Sequence, residues 1–305
     1  MSSQTHQVGV LGGGLMGTGI AESVARAGHQ VRLFEPLQDS RHTSRTRLAR
    51  SVVRAAKAGK LTPGEAESVL DRVRYVEQLA DLNTSELVIE AVVEDRDVKV
   101  DYFRRLDRHV REDAVLASNT SSIPIAVLAS GLSHPGRVLG LHFFSPAPVM
   151  ALVEVVSALG TDEEAIGRAE AFVLSLGKTP IATKDRSGFI VNMLLIPYLV
   201  AAVRMLEEGF ATREDIDAGM KLGCGHPMGP LTLCDFIGLD VLYAICDSLY
   251  EEFKRPEYAP PPLLKRMLAT GWLGRKSGRG FYDYGDAGAR KGSGNARLSA
   301  VAVQP

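Results

Sequence analysis

The sequence predicts an α/β protein: a Rossmann-type doubly wound sheet followed by a mainly α-helical C-terminal domain. Three observations carry this expectation. Strand-like and helix-like runs alternate up to about Lys184, a glycine-rich loop follows the first strand, and strand signals nearly vanish after Asp185. At 305 residues the chain exceeds what one compact core usually holds. Two domains are expected, over 1–184 and 185–284, with a Gly, Ala and Ser-rich tail over 285–305 that reads as flexible.

The elements follow in order. Gln7–Leu11 is a short apolar strand, and Leu15–Ala27 has helical spacing at Ile20, Val24 and Ala27, with Gly28 as its C-cap glycine. Val31 and Leu33 mark a second strand, and Arg41–Ala58 an Arg-rich helix ending at Gly59. Glu86–Val93 is nearly continuous in apolar residues, as a central parallel strand should be. Val98–Val110 is an amphipathic helix. Ala114–Ala117, Val138–His142, Val153–Val156 and Pro180–Thr183 are further strands, with Asp162–Gly177 a helix between the last two. Beyond the boundary, Phe189–Glu208, Arg213–Leu222, Leu231–Phe253 and Pro262–Thr270 read as helices.

Composition excludes several classes. Hydrophobic residues make up 45% and charged residues 23%, which is neither collagenous, disordered nor disulfide-dense. The net charge of −1, from 35 basic and 36 acidic residues, gives no electrostatic reason to expect nucleic acid or an anionic membrane as partner. No signal peptide or membrane span is expected; Asn192 and Pro197 interrupt the longest apolar block, Ile190–Val203. Cys224, Cys234 and Cys246 form no metal-ligand spacing, so no metal is expected and a reduced, cytoplasmic compartment fits.

GGGLMGTGIA, residues 12–21, is the strongest local motif. Gly12, Gly14 and Gly17 match G-x-G-x-x-G between a strand and a helix whose first turn carries Leu15 and Met16. The first glycine allows the tight turn, the second lets a pyrophosphate approach, and the third lets helix pack on strand. Glu35 ends the second strand, where a carboxylate holds the ribose hydroxyls and repels a 2′-phosphate, so NAD is the expected cofactor. Arg32 and Arg41 are nearby cations that would soften that exclusion.

Oxidation of an alcohol needs a base for the hydroxyl proton. His142 closes the apolar strand VLGLH, at the sheet end where ligands bind, and Glu154 is an acid inside the apolar run ALVEVV. Two readings stand for each: His142 as base or as a hydrogen-bonded core histidine, Glu154 as its partner or as an edge residue facing water. SNTSS, residues 118–122, follows another strand; it is either a ligand for nicotinamide or substrate oxygen or an N-cap. Asn192 opens the long second-domain helix, and Glu94 and Lys99 flank the third strand's end.

Taken together, GGGLMGTGIA, LVIEAVVED, ASNTSS, GLHFFSPAPVMALVEVV, SGFIVNMLL, MKLGCGHPMGPLTLCDFIGLDV and GRKSGRGFYDY, in that order over about residues 7–284, resemble the (S)-3-hydroxyacyl-CoA dehydrogenases. The resemblance implies NAD-dependent oxidation of a 3-hydroxyacyl-CoA such as 3-hydroxybutyryl-CoA, an acyl-CoA substrate and a homodimer. It implies His142 as catalytic base, Glu154 as its orienting acid, Ser121 on the substrate oxygen and cofactor, and Asn192 on the substrate. Glu94, Lys99 and Lys276 match cofactor contacts, and Ser51 and Lys57 lie on the helix that meets coenzyme A. Three positions depart from the family pattern: Ser145 replaces the asparagine of HFFNP and stands beside the nicotinamide, Met193 an arginine and Ala151 a lysine. The competing readings are a dehydrogenase of a non-thioester hydroxy acid, of the L-gulonate or carnitine type, and a non-catalytic nucleotide-binding structural protein.

Overall fold

The computed structural model describes residues 5–285. Apart from Gly285, the tail expected over 285–305 therefore lies outside the described residues. The chain divides into two compact units, Met1–Val191 and Asn192–Pro305.

The first unit is an eight-stranded sheet with helices on both faces. In chain order its elements are β1 (Gln7–Leu11), α1 (Leu15–Arg26), β2 (Gln30–Phe34), α2 (Gln38–Lys57), α3 (Pro63–Asp71), β3 (Val73–Val76) and β4 (Leu87–Glu90). They continue through α4 (Arg96–His109), β5 (Val115–Ser118), α5 (Ile125–Ala129), β6 (Val138–Phe143), β7 (Leu152–Ser157), α6 (Glu163–Ser175) and β8 (Thr179–Lys184). The strand order is β3-β2-β1-β4-β5-β6-β7-β8. The first six strands run parallel, and β7 reverses direction against β6. The parallel strands are the expected doubly wound set, with the order reversing between β1 and β4, where such sheets hold a dinucleotide.

Burial on both faces explains the near-continuous apolar strands. Val8, Val10, Leu33, Leu139 and Val153 pack under α1, α2 and α6 through Ile20, Val24, Val52 and Phe172. Leu11, Val88, Leu116 and Val156 pack on the other face under α4 and α5 through Phe103, Leu106, Ile125 and Leu128.

The sequence reading passed over α3 and β3. A local signal for α3 was present: Thr62 and Glu65 form a reciprocal capping box with Pro63 in the first turn. β3 is a four-residue edge strand, too short to show alternation.

The second unit is helical: α7 (Val191–Glu207), α8 (Arg213–Cys224), α9 (Pro230–Ile237), α10 (Leu239–Phe253) and α11 (Pro262–Ala269). Its core includes Leu199, Val203, Leu231, Leu242, Cys246, Leu249 and Leu264. The single helix expected over Leu231–Phe253 is two, because Gly238 takes φ +101° and interrupts the helical turn. Buried Asp235 accepts the Phe281 and Tyr282 N–H groups, which ties GRGFYDY to α9. Among the described residues no helix is long and apolar enough to cross a membrane.

Candidate active site

The glycine loop has the shape its spacing requires. Gly12 turns with φ +103°, and a Cβ there would sit 2.7 Å from the Ala91 carbonyl oxygen. A Cβ at Gly17 would strike the Gly12 carbonyl oxygen, so helix and strand meet only through glycine. A Cβ at Gly14 would meet nothing in the chain. Gly14 is the N-cap of α1, which has no side-chain cap and no acid in its first turn. Its N–H groups at Leu15, Met16 and Gly17 are thereby left for an anion, and a pyrophosphate fits.

Glu35 is fixed beside this loop. One carboxylate oxygen accepts the Gly13 N–H at 3.0 Å and the other the Leu37 N–H at 3.2 Å. Each oxygen keeps a lone pair for a ribose hydroxyl. The two neighbouring arginines both make hydrogen bonds within the chain. Arg41 donates to the Glu35 and Pro36 carbonyls at 2.8 and 2.9 Å and pairs with Glu77, while Arg32 donates to the Asp81 carbonyl.

Across the switch point a charged network orders residues 118–122. Glu90, at the end of β4, is fully buried. Its carboxylate accepts the Lys99 ammonium at 2.6 Å, the Val92 N–H at 2.7 Å and the Ser118 hydroxyl at 2.6 Å. Lys99, itself 1% exposed, also pairs with Glu94 at 3.1 Å. Glu94 accepts the Thr120 and Ser122 hydroxyls and the Ser121 N–H. Burial would raise the Glu94 carboxyl, but the Lys99 charge and these hydrogen bonds outweigh it and hold the group below the ordinary carboxylate range. Lys99 was expected as a cofactor contact. Its ammonium lies between two carboxylates, at 2.6 Å from Glu90 and 3.1 Å from Glu94.

His142 and Glu154 stand directly opposite each other in the antiparallel pair β6–β7. Opposed residues point to the same face of a sheet, and His142 Nδ1 lies 2.6 Å from Glu154 Oε2. Glu154 is 1% exposed, not an edge residue facing water. Its other oxygen accepts the Ile190 and Val191 N–H groups at 3.0 and 2.9 Å. A buried carboxylate with these partners accepts the Nδ1 proton and leaves the Nε2 lone pair of His142 able to accept a proton. The rings of Phe144 and Phe189 lie edge-on to the imidazole, with centroids 4.6 and 5.3 Å away.

The structure brings Ser121 to the end of β5, in the loop beside His142. Its N–H is held by Glu94, its carbonyl accepts the Gly188 N–H, and Asn119 ties the same loop to the Phe143 N–H that follows His142. Ser145 is exposed in the loop after β6, whose Ala147 and Met150 carbonyls are held at 2.7 Å by the buried ammonium of Lys178. Burial, with the Arg26 charge, pulls the Lys178 ammonium below the ordinary lysine range. Lys57 lines a shallow hollow of about 370 Å³ on α2 with Ala49, Arg50, Val53 and Arg54; Ser51 does not line it. In the second unit Asn192 is 7% exposed in the first turn of α7, and Lys276 pairs with Asp240 at 2.5 Å.

Sequence reasoning missed Glu90, Lys178 and Phe189. A usable signal existed for Glu90, an acid inside the apolar run LVIEAVV, of the same kind that singled out Glu154.

A dinucleotide cradle with a carboxylate-fixed imidazole at a neighbouring strand end defines an NAD-dependent oxidoreductase acting on an alcohol. Comparison with known proteins makes this particular. Residues 7–186 match the family model of the 3-hydroxyacyl-CoA dehydrogenase NAD binding domain, and residues 188–284 that of its C-terminal domain. The chain belongs to the 3-hydroxyacyl-CoA dehydrogenase family. It is 54% identical over 286 residues to the 3-hydroxybutyryl-CoA dehydrogenase of Mycobacterium tuberculosis, covering 93% of this chain and 100% of that protein. It is 42% identical over 284 residues to the human mitochondrial hydroxyacyl-coenzyme A dehydrogenase, covering 91% and 90% of the two chains. The crystal structure of (S)-3-hydroxybutyryl-CoA dehydrogenase PaaH1 from Ralstonia eutropha superposes with a TM-score of 0.87 at 43% identity, over 93% of this chain and 100% of that one.

Proposed function

We propose that this protein catalyses the reversible oxidation of an (S)-3-hydroxyacyl-CoA, such as 3-hydroxybutyryl-CoA, to the 3-oxoacyl-CoA. The observation that carries the reading is the 2.6 Å pair of His142 and Glu154 at the end of a strand in an NAD-binding sheet. NAD supplies the hydride acceptor for C3. In that direction His142 Nε2 takes the proton of the 3-hydroxyl, and the Glu154 carboxylate stabilises the imidazolium that forms. The Ser121 hydroxyl and the Asn192 amide hold the substrate oxygens. In reduction the imidazolium returns its proton to the new hydroxyl.

Gly12, Gly14 and Gly17, with the first turn of α1, hold the pyrophosphate, Glu35 the adenosine ribose, and Ser145 stands beside the nicotinamide. Glu94, Lys99 and Lys276 keep the cofactor contacts or support them. Arg50, Arg54 and Lys57 supply positive charge for the coenzyme A phosphates on the α2 face. Cys224, Cys234 and Cys246 are free thiols, which supports a reducing compartment, the cytoplasm. Exposed Leu222, Phe236 and Val241 on the second unit support a homodimer, which light scattering would read directly.

The deciding experiment follows NADH loss with acetoacetyl-CoA, beside free acetoacetate and NADPH. Turnover with the thioester and NADH alone is expected. Equal turnover of free acetoacetate would move the assignment to a non-thioester hydroxy acid.

A further inference from the structure

Phe189 stands out by its backbone. It takes φ +47°, and among the described residues Lys254, at a helix end, is the only other non-glycine residue with positive φ. A bulky residue in this region is strained and persists only where its surroundings over-determine it. Here they do. The Ser187 hydroxyl donates to the Ser122 carbonyl, the Gly188 N–H to the Ser121 carbonyl, the Phe189 N–H to the Arg186 carbonyl, and the Ile190 and Val191 N–H groups to Glu154. Residues 187–191 are thus fastened at both sides to the loop of Ser121 and to the carboxylate behind His142. Between these anchors the Phe189 ring, 5% exposed, lies edge-on to the His142 imidazole at 5.3 Å with the ring planes 61° apart.

We propose that Phe189 is a positioning residue for the base: its strained backbone delivers a ring that, with Phe144, locks the His142 imidazole in the one rotation that keeps Nδ1 on Glu154. The inference rests on the reading of His142 as base. Two aromatic edges remove the freedom of the imidazole to turn and keep water from the Nδ1–H bond, which strengthens it. A glycine would adopt this backbone without strain and a leucine would fill much of the volume, so neither backbone geometry nor apolar filling alone accounts for phenylalanine here.

The test compares Phe189→Leu and Phe189→Tyr, each alone and in a His142→Gln background, in the full chain. Phe189→Leu should lower kcat for acetoacetyl-CoA reduction about ten- to hundred-fold with the KM for NADH within about twofold. Phe189→Tyr, which keeps the ring, should restore it. In the His142→Gln background Phe189→Leu should change kcat no further, because its effect passes through the imidazole. The downfield Nδ1 proton resonance of His142 should broaden or vanish in Phe189→Leu and persist in Phe189→Tyr. Unchanged kcat in Phe189→Leu, or an equal loss in both backgrounds, would overturn the proposal. If Phe189→Leu fails to fold, Phe189→Met takes its place with the same outcomes. An inactive wild type would defeat the substrate reading instead, and the proton resonance would still decide whether Phe189 holds the imidazole.

Discussion

His142 and Glu154 face each other across the one antiparallel strand pair of the sheet, and the carboxylate that takes the imidazole Nδ1 also takes the two N–H groups of Ile190 and Val191. Glu154 therefore has four hydrogen-bonding demands in a dry site, three of them met by named partners. Replacing His142 by Gln should lower kcat about 10²- to 10⁴-fold while NADH binding, followed by fluorescence, stays near wild type. Glu154→Gln should lower kcat over a similar range, because an amide can donate to Nδ1 and fix the wrong tautomer. Wild-type turnover by either variant would remove the pair from the mechanism.

Glu35→Ala should weaken NADH and relax the rejection of NADPH. Arg41 and Arg32 donate to backbone carbonyls and Arg41 also pairs with Glu77, and NADPH should gain from the lost repulsion. The ratio of kcat/KM for the two cofactors measures this. An unaltered ratio would mean that Glu35 does not read the ribose.

Lys99→Met leaves Glu90 and Glu94 without their cation. Breaking a buried pair in this way costs about 3–5 kcal/mol, and urea unfolding should show a loss of that size. Glu94 also sets a pH dependence. Its carboxyl is lower in the folded than in the unfolded chain, so its contribution is complete above about 4.5 and is lost as pH falls through the lowered folded value. A Lys99→Met variant as stable as wild type would show that the two carboxylates are satisfied without it.

Arg50→Glu combined with Arg54→Glu reverses the charge beside Lys57 on the α2 face. The KM for acetoacetyl-CoA should rise several-fold at low salt, and the difference should shrink as salt screens the charges. A pantetheine thioester, which lacks the nucleotide phosphates, should be turned over equally by both proteins. A matching rise in KM for that thioester would place coenzyme A elsewhere.

His29 offers a second pH test, far from the chemistry. It is 1% exposed, touches Ser175 at 2.8 Å, and is pulled below the ordinary histidine range by burial and by His6. The unfolded chain therefore binds the proton more readily, and stability falls as pH drops below about 6.5 toward the folded value. His29→Gln should flatten that part of the stability profile measured by denaturant unfolding. A slope unchanged by the substitution would assign it to another group.

Much was legible in the sequence by itself. Gly12, Gly14, Gly17 and Glu35 were readable because turn, helix start and strand end are set by residues a few positions apart, where the covalent chain fixes the geometry. His142 and Glu154 were recognisable as polar residues in apolar strands, and the ordered motifs carried the family and its cofactor. From the residues alone their pairing stood as one of two readings, and the strand register decided between them. The two lie twelve positions apart, and only the β6–β7 register sets them on one face; a slip by one residue would turn Glu154 away. Register and packing likewise decided that Lys99, beside Glu94 in the sequence, is buried against Glu90 as well, and that the positive φ of Gly238 divides an apparently continuous helix. Local spacing determined which chemistry this chain carries. The packing of strands and loops decided which groups share it, because burial and register exist only once distant segments have met.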